Sequence, residues 1–438
     1  MSLRDRPGLA LALVGVALFV GYTGVTAATA PSVNAAERDV TTGPMLVSTF
    51  SPSDQGSVSY VASDGTTEWQ HSGPVSYTGA SRLPSGNVLV GYQDRHNGSA
   101  ITGIRVLTPG NRTVWDYNYS IATGRNSEVH DVERLPDGDF VVAGMDRERV
   151  FVVNRSTKTI EWQWNASSFY EEPEDPLTRD WLHINDVDRI GDGRYLVSVR
   201  NSNQLLIIER GAGVVEVINK DRRDGNGGNC VGMAGRQLVS SEPRCGDPEV
   251  LNHQHNPQWL GGGAVLVADS ENDRVVELHR TESREWEVAW TATGANGVPF
   301  DWPRDADRLA NGNTLVLDTR NARLVEVTQS GNVEWTTSIP EESYSGVRGG
   351  AEYPAGPQYN VTGMSVGAAS GQPFETADAL YGAIRYTFAL PFWVTSWHVV
   401  VGFIGTMLVI YGSLWDQLRD SSPDIVSALT DTSEESQS

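Results

Sequence analysis

The chain has 438 residues, a formal net charge of −22 and 33 basic residues, of which only Lys158 and Lys220 are lysine. That balance argues against nucleic-acid binding, which needs a basic footprint. An arginine- and acid-rich surface is expected of a halophilic protein kept solvated by concentrated salt, with an ordinary acidic secreted protein as the alternative. The length allows two or three average domains, or one all-β propeller, since propellers run to roughly 300 residues or more as a single unit.

Residues 1–35 form a signal or a membrane anchor. Arg4 and Arg6 precede the apolar run Leu9 to Ala30, and Thr26-Ala27-Ala28-Thr29-Ala30 offers small residues for processing. Both a cleaved leader and a retained helix fit that pattern.

Residues 45–365 are governed by a repeat, which predicts an all-β, six-bladed β-propeller. Arg82-Leu-Pro-Ser-Gly-Asn-Val-Leu-Val90, Arg134-Leu-Pro-Asp-Gly-Asp-Phe-Val-Val142, Arg189-Ile-Gly-Asp-Gly-Arg-Tyr-Leu-Val197, Trp259-Leu-Gly-Gly-Gly-Ala-Val-Leu-Val267 and Arg308-Leu-Ala-Asn-Gly-Asn-Thr-Leu-Val316 are one pattern written five times. Each reads as a strand end, a tight turn with Gly, and a second strand. A third apolar strand follows, and then a fourth that carries Trp115, Trp162, Trp290 or Trp335 in all copies but the third. Four short strands per unit, repeating about every 45 to 55 residues, describe blades rather than a sandwich. The sixth blade is expected from both ends of the repeat region. Met45 to Phe50, Ser57 to Ala62 and Thr66 to Gln70 supply three strands, and the segment around Ala351 to Thr362 is expected to return as the innermost one.

Residues 366–385 are expected to be a linker, 386–415 a transmembrane helix, and 416–438 an acidic cytoplasmic tail. Tyr386 to Trp415 is long enough for a hydrocarbon core of ~30 Å and has Trp393, Trp397 and Trp415 toward its ends. Arg4 and Arg6 orient the N-terminus inward, which puts the middle of the chain on the extracytoplasmic side of the cell membrane. The sequons at Asn97, Asn111, Asn118, Asn154, Asn165 and Asn360 all fall in that middle, as expected of a glycoprotein. Cys230 and Cys245, the only cysteines, sit in a Gly-rich loop where a disulfide bond is the simplest reading outside the cell.

Aligning the copies sets a register for the innermost strands. Four residues before each repeat's first residue stand Thr78, His130, Asn185, His255 and Arg304; two further back stand Ser76, Glu128, His183, His253 and Trp302. Residues two apart share a strand face. Four of the eight histidines, His130, His183, His253 and His255, therefore converge at one end of the channel. A metal site and plain channel lining are the competing readings of that cluster. Arg304 reads equally as a contributor to the local field or as a structural ion pair, His253 as a neighbour that orients its strand, and Asp131 and Asp186 as caps between blades.

Asp180-Trp-Leu-His-Ile-Asn-Asp-Val187 with Leu196-Val-Ser-Val-Arg-Asn201, Asn252-His-Gln-His-Asn256 with Val265-Leu-Val-Ala-Asp269, and Glu128-Val-His-Asp-Val132 with Leu135-Pro-Asp-Gly138 resemble elements of the PAPS-independent arylsulfotransferases. The resemblance covers roughly 45–365 as a propeller, with its specific motifs on blades two to four. It implies transfer of a sulfuryl group from an aryl sulfate to a phenolic or other hydroxyl acceptor, with no nucleotide cofactor and no metal, through a sulfated histidine. Carried over, His255 is the nucleophile, and His130, His183, Asn185 and Arg200 hold sulfuryl oxygens or handle protons. The chain departs from the family where Val129 precedes His130 in place of a second histidine. The alternative function is a non-catalytic, membrane-anchored propeller that binds or scaffolds a cell-envelope partner. Oligomeric state is not legible in the sequence.

Overall fold

The computed structural model describes residues 6–29, 44–50, 55–62, 66–74, 76–122, 127–220, 229–232, 236–239, 245–340, 343–348, 357–367, 380–381, 384 and 394–421. They belong to two units, one spanning Val33–Ala369 and one made from the two chain ends.

The larger unit is a six-bladed β-propeller. Five consecutive blades have innermost strands Ser76–Arg82, Val129–Arg134, Ile184–Gly191, His255–Gly261 and Pro303–Arg308, each leading outward through three more antiparallel strands. The repeated turn works as its glycine implies: Gly86, Gly138 and Gly312 have φ of 80°, 98° and 87°, a region that side chains resist. Second strands such as Phe140–Gly144 and Thr314–Asp318 are buried along their whole length, because blades cover both faces. Val141, Ala143, Val150 and Val152 of blade two thus share one cluster with Ile184, Val187, Tyr195 and Val197 of blade three. The outer tryptophans tie blades together as well, since Trp115 donates to the Arg155 carbonyl and Trp290 to that of Gln329, both at 2.9 Å.

Closure differs from the sequence expectation in one respect. The innermost strand of blade six is Ser343–Arg348, paired antiparallel with Met45–Thr49, which leads to Ser57–Val61 and Thr67–Ser72. Of the segment expected there, residues 351–356 lie outside the described residues and 357–362 contain no strand. Instead Tyr359 stacks on Arg308, with its guanidinium carbon 3.3 Å from the ring centroid, and Met364–Val366 adds a parallel fifth strand to blade four. The closing strand, Ser343-Tyr-Ser-Gly-Val-Arg348, is largely polar like the other innermost strands and lacks the repeat's turn, so the repeat does not mark it.

Neighbouring innermost strands are joined by side chains that accept backbone N–H groups one blade on. Asp131 accepts from Val187 at 3.3 Å, Asp188 from Trp259 at 3.1 Å, Gln258 from Arg308 at 2.6 Å and Asp305 from Gly346 at 3.0 Å. Asp131 is thus a bridge between blades. Burial raises the pKa of Asp188 and of Asp305 to about 7. An unfolded aspartate titrates near ~3.9, so protonation favours the fold, and this contribution is lost as pH rises through about 7. Thermal melts are expected to give a Tm lower by ~2–4 °C at pH ~8.5 than at pH ~6.5. Asp188→Asn keeps the acceptor and is expected to shrink that difference; an unchanged difference would count against the assignment.

In the chain-end unit, Pro7–Thr29 and Ser396–Ser421 are helical. Both are long and apolar enough to cross a membrane, over Pro7–Thr29 and Ser396–Leu418. The second helix begins later than Tyr386 and passes Trp415, so part of the expected tail is helical. Residues 386–393 lie outside the described residues, as does the side chain of Cys230, while Cys245 is buried.

Candidate active site at the channel mouth

A repeated device delivers the site residues. His183, His253 and Trp302 occupy equivalent places just before the innermost strands of blades three, four and five, with φ of 57°, 48° and 53°. Such left-handed backbone is uncommon for side-chain-bearing residues and needs support. It comes from the preceding blade, where Glu148, Asn203 and Asp273 end short 3₁₀ turns and are themselves left-handed. Their side chains accept from the N–H of His183 at 2.7 Å, His253 at 3.0 Å and Trp302 at 2.8 Å. Glu148 also accepts from Leu182 at 3.1 Å and Ile184 at 2.9 Å.

The expected histidines meet. The His130 ring lies 5.5 Å from that of His183 and 6.4 Å from that of His255, and all three side chains are buried. Arg200 opens the 3₁₀ turn of blade three, and its Nη2 is 3.6 Å from Asp180 Oδ2. Asn185 is fully buried, but its amide donates to the Gln254 carbonyl at 2.9 Å, which fixes blade four. His253 is held through its N–H by Asn203.

Four contributors have no role assigned from the sequence, although Trp302 stands in the inward column and Asp180 in one of the family-like motifs. Asp180, three residues before His183, bonds its Nδ1 at 2.7 Å. Ser270, first in the 3₁₀ turn of blade four, bonds His255 Nδ1 at 2.7 Å. Trp302 sits edge-on to His255, with ring centroids 5.7 Å apart, and its indole N–H donates to Glu271. Tyr344, from the closing strand, sits edge-on to His130 at 5.6 Å. Arg304 is sandwiched, its guanidinium carbon 4.4 Å from the ring centroids of both Trp302 and Tyr344. No carboxylate lies within ion-pair distance of Arg304 among the described residues, and its Nε–H has no hydrogen-bond partner.

These neighbours set protonation. Burial and then Arg200 lower the pKa of His183 to about 4. Burial holds His130 and His255 well below the ordinary value, assisted by the His183 ring for His130 and by Arg304 for His255. Burial raises the Tyr344 phenol to about 12. The imidazoles are therefore neutral at ordinary pH, and their tautomers are determined by their partners. The single Ser270 hydroxyl proton goes to the Pro303 carbonyl at 2.6 Å, so Ser270 must accept from His255 Nδ1–H. The Asp180 carboxylate likewise accepts from His183 Nδ1–H. Nε2 of His255 and Nε2 of His183 consequently carry the lone pair.

Among the described residues, no group of three or more His, Cys, Asp or Glu side chains is arranged to hold a metal ion. The nearby guanidiniums also oppose a cation there, since like charges repel strongly where water is scarce.

No family model matches the chain, and no curated protein matches it. Among solved structures it is similar to a Bacteroides caccae protein of unknown function, with 16% identity, a TM-score of 0.48, and coverage of 70% of this chain and 98% of that one. It is also similar to a periplasmic gluconolactonase from Pseudomonas aeruginosa, with 12% identity, a TM-score of 0.42, and coverage of 70% and 98%. A third is a virginiamycin B lyase from Staphylococcus aureus, with 12% identity, a TM-score of 0.39, and coverage of 71% and 88%. At these values none of them bears on the chemistry of the channel mouth.

Proposed function

We propose that the chain is an arylsulfotransferase-like enzyme that moves a sulfuryl group from an aryl sulfate to a phenolic or other hydroxyl acceptor. The observation that carries this reading is the His255 tautomer, a neutral buried imidazole whose Nδ1–H is committed to Ser270 and whose Nε2 is left as a nucleophile. Nε2 attacks sulfur, the N–S bond forms as the S–O(aryl) bond breaks, and the phenolate leaves. Because Nδ1–H is retained, the intermediate is a sulfated imidazolium, a good leaving group for the second transfer. His183 Nε2 takes the acceptor's proton, the acceptor oxygen attacks sulfur, His255 is regenerated, and the proton passes to the departed phenolate. Arg304, which has no carboxylate partner among the described residues, and Arg200 hold the sulfuryl oxygens.

The enzyme works at the outer face of a cell membrane, anchored by its apolar helices, with the tail inside. The acidic, lysine-poor surface adapts it to salt, where a screening length of ~3 Å leaves only the local cationic site to attract an anion. Cys230 and Cys245 close their loop as a disulfide, and glycans decorate exposed sequons such as Asn97 and Asn111.

The test is turnover of p-nitrophenyl sulfate with a phenol acceptor in high salt by the purified protein. Nitrophenolate release, with a sulfated peptide containing His255 trapped by mass spectrometry, is the expected result. No release with any phenol would overturn the reading in favour of a binding propeller.

A further inference from the structure

The chain-end unit pairs its two helices through an arrangement that neither helix would need alone. Gly8 packs on Gly412 and Gly15 on Gly405, so the helices run antiparallel. A Cβ on Gly15 would meet the Gly405 carbonyl oxygen at 2.5 Å, and one on Gly405 would meet that of Gly15 at 2.8 Å. At Gly8 and Gly412 the approach is closer still, so no side chain fits at any of the four positions unless the helices separate. A third layer places the Tyr22 and His398 rings 4.8 Å apart. Gly8, Gly15 and Tyr22 on one helix, and His398, Gly405 and Gly412 on the other, recur every seven residues, the spacing of two helices that wrap around one another.

The polar groups of the second helix are answered by the first. Asp416 accepts from the N–H of Gly8 at 3.0 Å and of Leu9 at 2.8 Å, closing the exposed N-terminus of Pro7–Thr29. At the other end, Thr26 Oγ1 lies 2.9 Å from His398 Nε2. The outward positions are apolar, with Leu13, Val16 and Val20 on one helix and Phe403, Met407 and Ile410 on the other all exposed. Small residues facing a partner and large apolar ones facing away is how helices associate in lipid, where no hydrophobic force drives them together. Removal of the first helix would strip Asp416 of the two amide donors of Gly8 and Leu9, and His398 Nε2 of the Thr26 hydroxyl, in hydrocarbon or among headgroups.

We infer that Pro7–Thr29 is not a leader removed on export but the permanent half of a two-helix anchor, paired with Ser396–Ser421 in the mature protein. Both chain ends then lie on one side of the membrane. The sidedness rests on the proposed membrane location, whereas the pairing does not. The test uses the full chain with a C-terminal tag and a specific protease site inserted between residues 30 and 43. Peptides from 7–29 are expected in the mature purified protein, and after cleavage in detergent that helix is expected to co-elute almost completely with the tagged remainder. Gly412→Leu and Gly405→Leu should each reduce co-elution to background while leaving the propeller's melting transition in place. A mature chain that starts at or beyond residue 31, or a wild-type helix that separates on cleavage, overturns the inference. Recovery of the intact chain without detergent overturns the membrane location instead, and the co-elution arm still decides the pairing.

Discussion

His255→Ala is expected to remove sulfuryl transfer, lowering turnover by at least ~10³-fold, because no other group offers a lone pair at that position. Ser270→Ala tests the cause more closely. It leaves the ring in place but frees Nδ1, so the tautomer with its lone pair on Nδ1 becomes accessible. The expected loss lies between the ~10–100-fold of a missing orienting partner and the ~10⁴-fold of a wrong tautomer. It should fall on kcat with KM little changed, since Ser270 bonds the His255 ring from its Nδ1 side, away from Nε2. The pH profile adds a second readout. With His183 near 4 through burial and Arg200, the base is available well below the usual range for histidine. The acidic limb of kcat/KM is expected below pH ~5 rather than near the ~6.5 of an exposed imidazole. A limb at the ordinary value would mean that the ring is charged in the working enzyme, and the proposed base would have to be abandoned.

The propeller was legible because its repeat is written in the second strand and its turn, where burial on both faces forces apolar residues and a left-handed glycine. The column His130, Asn185, His255 and Arg304 followed from that register alone, and the rings do meet. What was not legible shares one physical property, polarity. Ser343–Arg348 closes the ring as a channel-lining strand with almost no apolar pattern, so Tyr344 escaped notice with it. Ser270 and Asp180 act through short contacts to the far nitrogen of a histidine, and nothing about a lone serine or aspartate announces such a contact. The pairing of the two apolar ends was present as glycines seven apart, a spacing that acquires meaning only once a second helix with the same spacing lies against it.

The largest effect on stability is expected at Glu148, which meets the proposed base His183 through its backbone N–H and not through its ring. Its buried carboxylate accepts three consecutive amides, Leu182, His183 and Ile184, and so holds the left-handed turn that aims His183. Glu148→Ala would strand three buried donors, each costing ~1–3 kcal/mol. The Tm should therefore drop by at least ~4 °C, at the roughly 1.4 °C per kcal/mol that the per-residue unfolding entropy gives for a unit of this size. Burial raises this carboxyl to about 8, so the native state tolerates it in neutral form. Glu148→Gln separates scaffold from charge. The amide oxygen can still serve Leu182 and His183, while its NH₂ faces the Ile184 N–H, donor against donor. Stability should fall by about one hydrogen bond's desolvation, ~1–3 kcal/mol, and His183 should keep its position. If Gln is as damaging as Ala, the negative charge is what holds the turn; if neither matters, blade two does not aim the base of blade three and the proposed proton path loses its support.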